Sequence, residues 1–310
     1  MQGVAGKQIE LVGPAVLPLG LGWRAGGPQL LAVALQHPPV HLLLYPSEAL
    51  DLSGARADLA YSYAARWLAA HSLGGRVRVD LELAVPSFMG LGSAASLAVT
   101  LGTGLAHWYE QPHEPAATIA SACGLPPGEQ PLAQIAAQGG LWLCGLPGSQ
   151  TPDLRRTIQH TNRQAWAFVI VLPRLDPVPE ANFELERLNN ALQFAPQLAA
   201  AQAEAATEAL IAALDADDLE GFGAALTQLQ GGYAQPPLSA WEQQVCDQLR
   251  ASGAVACGRS LAGAALFGIV QGDRGSISAR QALRPLVPPT KGVVMAAITE
   301  NEGLRVVQRS

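Results

Sequence analysis

Pro86-Ser87-Phe88-Met89-Gly90-Leu91-Gly92-Ser93-Ala94-Ala95-Ser96 is a glycine turn between an alternating strand and an apolar helix. Upstream, Arg76 to Leu83 sets Val77, Val79, Leu81 and Leu83 on one face at period two, which predicts a half-buried strand. Downstream, Leu97, Leu101, Leu105 and Trp108 recur at helical spacing from Ser93 onward. Gly90 and Gly92 permit backbone conformations that side chains forbid. Ser93 is a candidate cap for the helix, whose first amides have no intrahelical partner and whose dipole favours an anion. The turn therefore predicts a phosphate or pyrophosphate cradle at Gly90, Leu91, Gly92, Ser93 and Ala94, with Ser96 as a further contact. A helix start with nothing bound is the other reading of such a turn. No lysine lies near it, which excludes a Walker loop, and its spacing is not that of a dinucleotide fingerprint.

The rest of the chain bounds the setting. With 310 residues and 49% hydrophobic content it can bury a sizeable core, as one two-lobed unit or two domains. No apolar run is long enough to cross a membrane, and no signal-peptide pattern opens the chain, so a cytoplasmic location and no membrane partner are expected. A net charge of −6 without a basic run argues against nucleic acid. Cys123, Cys144, Cys246 and Cys257 are scattered and read as reduced, buried side chains; neither they nor the six histidines, His107 among them, show metal-ligand spacing, and no metal site is predicted. Anion recognition falls to arginine, since Lys7 and Lys291 are the only lysines. A homodimer is the default expectation for a soluble enzyme.

Residues 1–150 read as strands and glycine turns. Helices are predicted over 184–194 and 196–214, a third capped by Asp217 or Asp218 and running to Leu229, and a fourth from Ser239 to Leu249. Strands follow at 254–257, 264–270 and 292–298. Strands first, then helices with returning strands, is an α+β pattern.

Four segments, in order, resemble the GHMP kinase superfamily, and within it the β-ribofuranosylaminobenzene 5′-phosphate (beta-RFAP) synthase branch. The turn is similar to the superfamily's Pro-x-x-x-Gly-Leu-Gly-Ser-Ser. Gly22-Trp23-Arg24-Ala25-Gly26-Gly27 is similar to an N-terminal Gly-Arg-x-x-Gly-Gly. Gly139-Gly140-Leu141-Trp142, leading to the strand from Trp166 to Leu172 and Pro173, resembles a Gly-Gly-Phe and Val-Pro pattern. Gly258-Arg259-Ser260-Leu261-Ala262-Gly263-Ala264-Ala265-Leu266-Phe267 resembles a Gly-Gln-Ser-Ser-Trp-Gly-Pro-Thr segment. The chain departs from the branch at Pro14-Ala15-Val16-Leu17, where Arg-Leu-His-Phe is usual, and at residues 132–138, where a Ser-Gly-Ile-Gly loop is absent.

The resemblance implies a two-lobed α+β fold: a ribosomal-S5-like lobe over 1–175 carrying the turn, and a ferredoxin-like lobe over 176–310, with the cleft between them. It implies phosphoribosyl transfer from 5-phosphoribosyl-1-pyrophosphate to a 4-substituted benzoate, with loss of CO2 and pyrophosphate, as in tetrahydromethanopterin-type cofactor biosynthesis. Mg2+ would accompany the phosphorylated substrate. The substrate group would be Arg24, Gly26, Gly27, Arg259, Ser260 and Gly263; no catalytic residue is assigned. An ATP-dependent small-molecule kinase is the alternative, and against it stands the lack of any carboxylate between Glu82 and Glu110. A non-catalytic phosphometabolite binder is the third reading. Asp176, Glu180 and Glu184, after the central strand, belong either to a magnesium site or to a solvated loop.

Overall fold

The computed structural model describes residues 7–24, 27–145, 152–158, 165–193, 198–232 and 235–309. The chain begins with a long hairpin, β1 (Gln8–Arg24) and β2 (Gly27–Pro46), followed by β3 (Asp51–Gly54), α1 (Ala57–Ala70), β4 (Val77–Leu83) and α2 (Ser93–Trp108). Next come α3 (Ala116–Ala122), a 3₁₀ turn at Pro127–Glu129, α4 (Gln130–Gln138), β5 (Leu141–Gly145), β6 (Leu154–Arg156) and β7 (Trp166–Pro173). Four helices then run in succession: α5 (Phe183–Gln193), α6 (Ala200–Asp215), α7 (Leu219–Gln230) and α8 (Ala240–Ala251). The chain closes with β8 (Ala256–Arg259), β9 (Leu266–Gln271), α9 (Gly272–Leu283), β10 (Gly292–Ile298) and β11 (Arg305–Arg309).

Two sheets organise these elements, giving the expected α+β architecture. The first has the order β11-β1-β2-β4-β3, with β5 on the near end of β2 and β6 on β5; the second is antiparallel, β10-β7-β9-β8. The sheets do not follow one another along the chain, because β7 belongs to the second sheet and β11 returns to β1 in the first.

β1 from Gly13 to Leu21 and β2 from Leu30 to Leu35 are buried without alternation, the pattern of strands covered on both faces. Helices α2 and α4 from the first half and α6 and α7 from the second all pack on β1. Two register shifts interrupt the hairpin, between Gly13 and Ala15 and between Pro18 and Gly20. Such bulges leave backbone groups outside the ladder. The Pro18 carbonyl accepts the Leu261 amide at 3.1 Å, and the Leu19 carbonyl accepts the Gln230 side chain at 3.1 Å. The hairpin is thereby joined to the second half of the chain.

The second sheet is also covered twice. Phe168, Ile170, Phe267 and Ile269 join the main core, while Val169, Val171, Leu266 and Val270 pack with Val245, Leu249, Ala279 and Leu283 of α8 and α9 in a second core. All four cysteines are buried and unpaired.

The predicted caps form at α7, where Asp218 accepts the Gly221 amide, and at α8, where Ser239 and Glu242 make a capping box. The helix predicted over 196–214 begins at Ala200, and residues 194–197 lie outside the described residues. Strands β8 and β9 each start two residues later than predicted, since Ser260 to Ala265 forms a turn closed by the Ser260 amide on the Ala265 carbonyl. The reading of residues 1–150 as strands and turns omits α1, α3 and α4. In α1, Tyr63, Ala64, Trp67 and Leu68 are buried on one side, a helical spacing supplied largely by alanine. No helix among the described residues is long and apolar enough to cross a membrane.

Candidate functional site at the glycine turn

After β4 the backbone takes left-handed φ values at every second position: Phe88 (68°), Gly90 (70°) and Gly92 (65°). Alternation of this kind turns successive amides to one side, forming an anion-binding concavity. Gly92, not Ser93, occupies the cap position of α2, and no side chain caps the helix. Ser93 is the first helical residue. The first amides of α2 therefore face the concavity without a side-chain partner.

Two other segments hold the turn in place. The Leu91 carbonyl accepts the Val16 amide of β1 at 2.9 Å. On the opposite side, the Ser260 hydroxyl donates to the Gly90 carbonyl at 2.7 Å, and the Ala264 and Ala265 amides donate to the carbonyls of Phe88 and Met89. This contact is backbone against backbone. A Cβ on Gly263 would lie 2.0 Å from the Gly90 nitrogen, and one on Gly90 would lie 2.3 Å from the Gly263 nitrogen. Both glycines are required by that approach. The Gly258–Phe267 segment thus closes directly on the turn.

The concavity holds a carboxylate. The Gly90 amide donates to Glu184 Oε1 at 2.5 Å and the Ser93 hydroxyl donates to Glu184 Oε2 at 3.0 Å. Phe183, the preceding residue, meets Phe88 edge-on at 6.4 Å between ring centroids, which seats the start of α5 on the turn. Gly92, Ser93, Ala94, Glu129, Glu184, Leu188 and Ala262 line a small cavity with room for about one water. Glu184 is accordingly no part of a solvated loop. Asp176 and Glu180 are exposed.

Glu129, at the end of the 3₁₀ turn before α4, is buried and makes no hydrogen bond through its carboxyl group among the described residues. Burial, followed by repulsion from Glu184, pushes its pKa up to about 7. Burial likewise raises the Glu184 pKa, against hydrogen bonds from Gly90 and Ser93 and attraction to Arg56 that favour the charged form. Arg56, in a left-handed conformation before α1, is drawn to both carboxylates, and its own pKa is lowered by burial. Its buried Nη1 has no hydrogen-bond partner among the described residues. Tyr63, one helical turn or two further along α1, is pushed up to about 12 by burial and then by Glu129. The result is an amide concavity flanked by two carboxyl groups and an under-satisfied guanidinium.

Of the residues singled out in the sequence, Gly90, Leu91, Gly92, Ser93, Ala94, Ser260 and Gly263 come together here. Ser96 faces β1, where its hydroxyl donates to the Pro14 carbonyl at 2.7 Å. Arg259 turns away, its Nη1 3.1 Å from Glu242 Oε1 and its Nη2 on the Pro236 carbonyl. Arg24 and Gly27 face each other at the far tip of the β1–β2 hairpin, where Arg24 pairs with Glu208 of α6 at 3.6 Å. Eight residues of strand separate Arg24 from Val16 at the turn, roughly 25 Å at strand rise. Gly26 lies outside the described residues. His107 is exposed, fourteen residues along α2 from Ser93, or about 21 Å of helix.

Sequence reading missed Arg56, Glu129 and Tyr63. Glu129 had one local signal: it follows Pro126-Pro127-Gly128 and immediately precedes a helix whose Leu132, Ala133, Ile135 and Ala136 are all buried. A carboxylate at a buried helix start is favoured by the dipole and is hard to solvate.

No family model matches the sequence, and no curated protein matches it. Solved structures do. Homoserine kinase from Cytophaga hutchinsonii superposes with a TM-score of 0.73 at 16% identity, covering 99% of both chains. Mevalonate kinase from L. major, in complex with R-mevalonate, superposes at 0.68 and 13% identity, over 94% of this chain and 96% of that one. A 4-(cytidine 5'-diphospho)-2C-methyl-D-erythritol kinase gives 0.64 and 22% identity, over 94% and 98%. The fold is that of the GHMP kinases. The superpositions cover 94–99% of this chain, and all three of these neighbours are kinases by name.

Proposed function

We propose that this chain transfers a phosphoryl group from ATP to a hydroxyl of a small molecule, with magnesium. The observation that carries this reading is the meeting of Glu129 and Glu184 at the glycine turn. The segment around the turn holds no carboxylate of its own, but two carboxyl groups arrive from outside it, one ahead of α4 and one on α5. The kinase neighbours of the same fold support the reading.

The residues fit the groups such a reaction needs. Among the described residues no cluster of three His, Cys, Asp or Glu side chains could hold a metal ion. Magnesium is commonly held by one or two carboxylates together with substrate phosphates, and Glu129, Glu184 and the Ser93 hydroxyl offer that donor set. The unpartnered Arg56 Nη1 is a donor for phosphate oxygen. When bound, magnesium neutralises phosphate charge. Phosphoryl transfer asks the protein mainly for positioning and charge stabilisation. The α2 amides and Arg56 meet the anion, and Ser260 with Gly263 keeps the turn rigid. Glu184 now takes the Gly90 amide and Ser93 hydroxyl that a phosphate would use, so phosphate entry requires its carboxylate to shift.

Phosphoribosyl transfer of the beta-RFAP type is the second reading. It is supported by the four ordered segments and by the closure of one of them, Gly258 to Phe267, on the turn. Mass spectrometry separates the readings. The protein is incubated with ATP, magnesium and a panel of small alcohols including homoserine and mevalonate, and in parallel with 5-phosphoribosyl-1-pyrophosphate and 4-aminobenzoate. We expect ADP and a phosphorylated alcohol. A decarboxylated ribosyl-arene phosphate would overturn this in favour of the synthase. Neither product, with ATP still raising the melting temperature, would favour a non-catalytic binder.

A further inference from the structure

Arg174 and Lys291 stand opposite each other just past the last paired residues of β7 and β10. Pro173 pairs with Gly292, and the Arg174 amide donates to the Lys291 carbonyl at 2.7 Å, which extends the ladder by one more pair. Like charges directly opposed on antiparallel strands are unfavourable. Neither side chain forms an ion pair with any described residue. Two unneutralised cations side by side are conspicuous in a chain of net charge −6 that has only two lysines.

Beside them lies an open pocket of about 390 Å³, lined by Pro173, Arg174, Asp176, Trp241, Thr290 and Lys291. That volume lies within the range of small-molecule sites. Trp241, half-buried on α8, donates its indole N–H to the Leu286 carbonyl at 2.9 Å, which fixes the ring at the pocket wall. Neither cation stacks on that ring. The Trp241 side chain packs in part against the second core and lines the pocket with the remainder.

We infer that this pocket is a second small-molecule site, which takes a ligand joining an anionic group to a planar ring and a hydrogen-bond donor. The anion meets Arg174 and Lys291 and relieves their mutual repulsion. The ring lies against Trp241. Asp176, the single carboxylate of the lining, accepts from an amino or hydroxyl group. A nucleoside monophosphate and an aromatic amino acid both have this chemistry. The pocket opens at the end of the second sheet where β7 finishes and β9 begins, the same end from which Ser260 to Ala265 reaches the turn. The inference stands on the lining alone, independently of the phosphoryl-transfer reading.

Titration calorimetry with AMP and, separately, with phenylalanine tests it on the full chain, with adenosine and inorganic phosphate as controls lacking the anion or the ring. One of the two ring-bearing anions is expected to bind with one-to-one stoichiometry and at least tenfold more tightly than either control. The double variant Arg174→Ala/Lys291→Ala, at exposed positions, is expected to lose at least tenfold in affinity, while Glu129→Gln at the turn leaves this binding unchanged. Should circular dichroism show the double variant misfolded, Arg174→Gln and Trp241→Ala, each expected to weaken binding, replace it. Absence of binding by both probes, or undiminished binding in the pocket variants, would overturn the site. So would loss of the binding in Glu129→Gln.

Discussion

Two clusters of buried charge differ in how their carboxylates are finished. At Arg259, Nη1 meets Glu242 and Nη2 meets the Pro236 carbonyl, while the buried Nε has no hydrogen-bond partner among the described residues; Glu242 also completes the capping box of α8. Burial pushes Glu242 up, but the Ser239 amide and hydroxyl and the Arg259 guanidinium outweigh it, and its pKa ends below the ordinary value. At the turn, among the described residues, Glu129 has no hydrogen bond to its carboxyl group and Arg56 leaves Nη1 unpartnered, and both carboxyl groups are raised in pKa. A carboxylate that is satisfied internally holds a fold together; a carboxyl group left short of partners at a concave site is arranged for something that binds. The difference separates the Arg259 cluster, which is structural, from the turn cluster.

Breaking the satisfied pair should cost the most. Arg259→Met leaves Glu242 without its partner and is expected to lower stability by about 3 kcal/mol or more in urea unfolding. Glu129→Gln should act in the other direction. It removes a carboxylate that repels Glu184, so the folded chain at pH 8 should be as stable or more so, while phosphoryl transfer falls roughly 100-fold, the scale of losing one electrostatic group at a reacting centre. A fall in both stability and rate for Glu129→Gln would erase the distinction between the two clusters.

The signs of the pH dependence sharpen the same contrast. Between its ordinary value of 4.5 and about 7, Glu129 carries a proton in the folded chain that the unfolded chain has released. Its contribution to stability is therefore full below pH 4.5 and lost as pH rises through 7. Glu242 has the reverse sign: its contribution is present above the ordinary value and lost on acidification. Thermal melts from pH 5 to 8 should fall toward the alkaline end in the wild type and fall less steeply in Glu129→Gln, where the raised Glu184 remains.

The arginine at the hairpin tip gives the smallest effect. Arg24 is partly exposed and paired with an exposed Glu208. Arg24→Ala is expected to change stability by no more than about 0.5 kcal/mol, and to leave nucleotide affinity unchanged. A large loss of ATP affinity in that variant would bring the hairpin tip into the site.

What the sequence made legible was local. The period-two run into β4, the helix from Ser93, and the caps Asp218 and Ser239 depend on residues a few positions apart and stand in the structure, except that Leu83, past a register shift at the end of β4, is exposed while Val77, Val79 and Leu81 are buried. α9 was hidden because Gly272-Asp273-Arg274-Gly275-Ser276 reads as a loop and no side chain caps the helix. β11 was hidden because its partner, β1, lies nearly the whole chain away. The same division runs through the site. Gly90, Ser93, Ser260 and Gly263 carry recognisable motifs, whereas Glu129, Glu184 and Arg56 reach the turn only through the packing of α1, α4 and α5. Spacing along the chain holds no record of that convergence.

The central claim is that Glu129 and Glu184 make the glycine turn a magnesium–nucleotide site. It is tested most directly by calorimetric titration of the wild type and Glu129→Gln with ATP, with and without magnesium, at pH 6 and pH 8. We expect wild-type binding that needs magnesium, tightens from pH 6 to pH 8 as Glu129 loses its proton, and loses both properties in Glu129→Gln. Binding that is indifferent to magnesium, pH and the substitution alike would contradict the account.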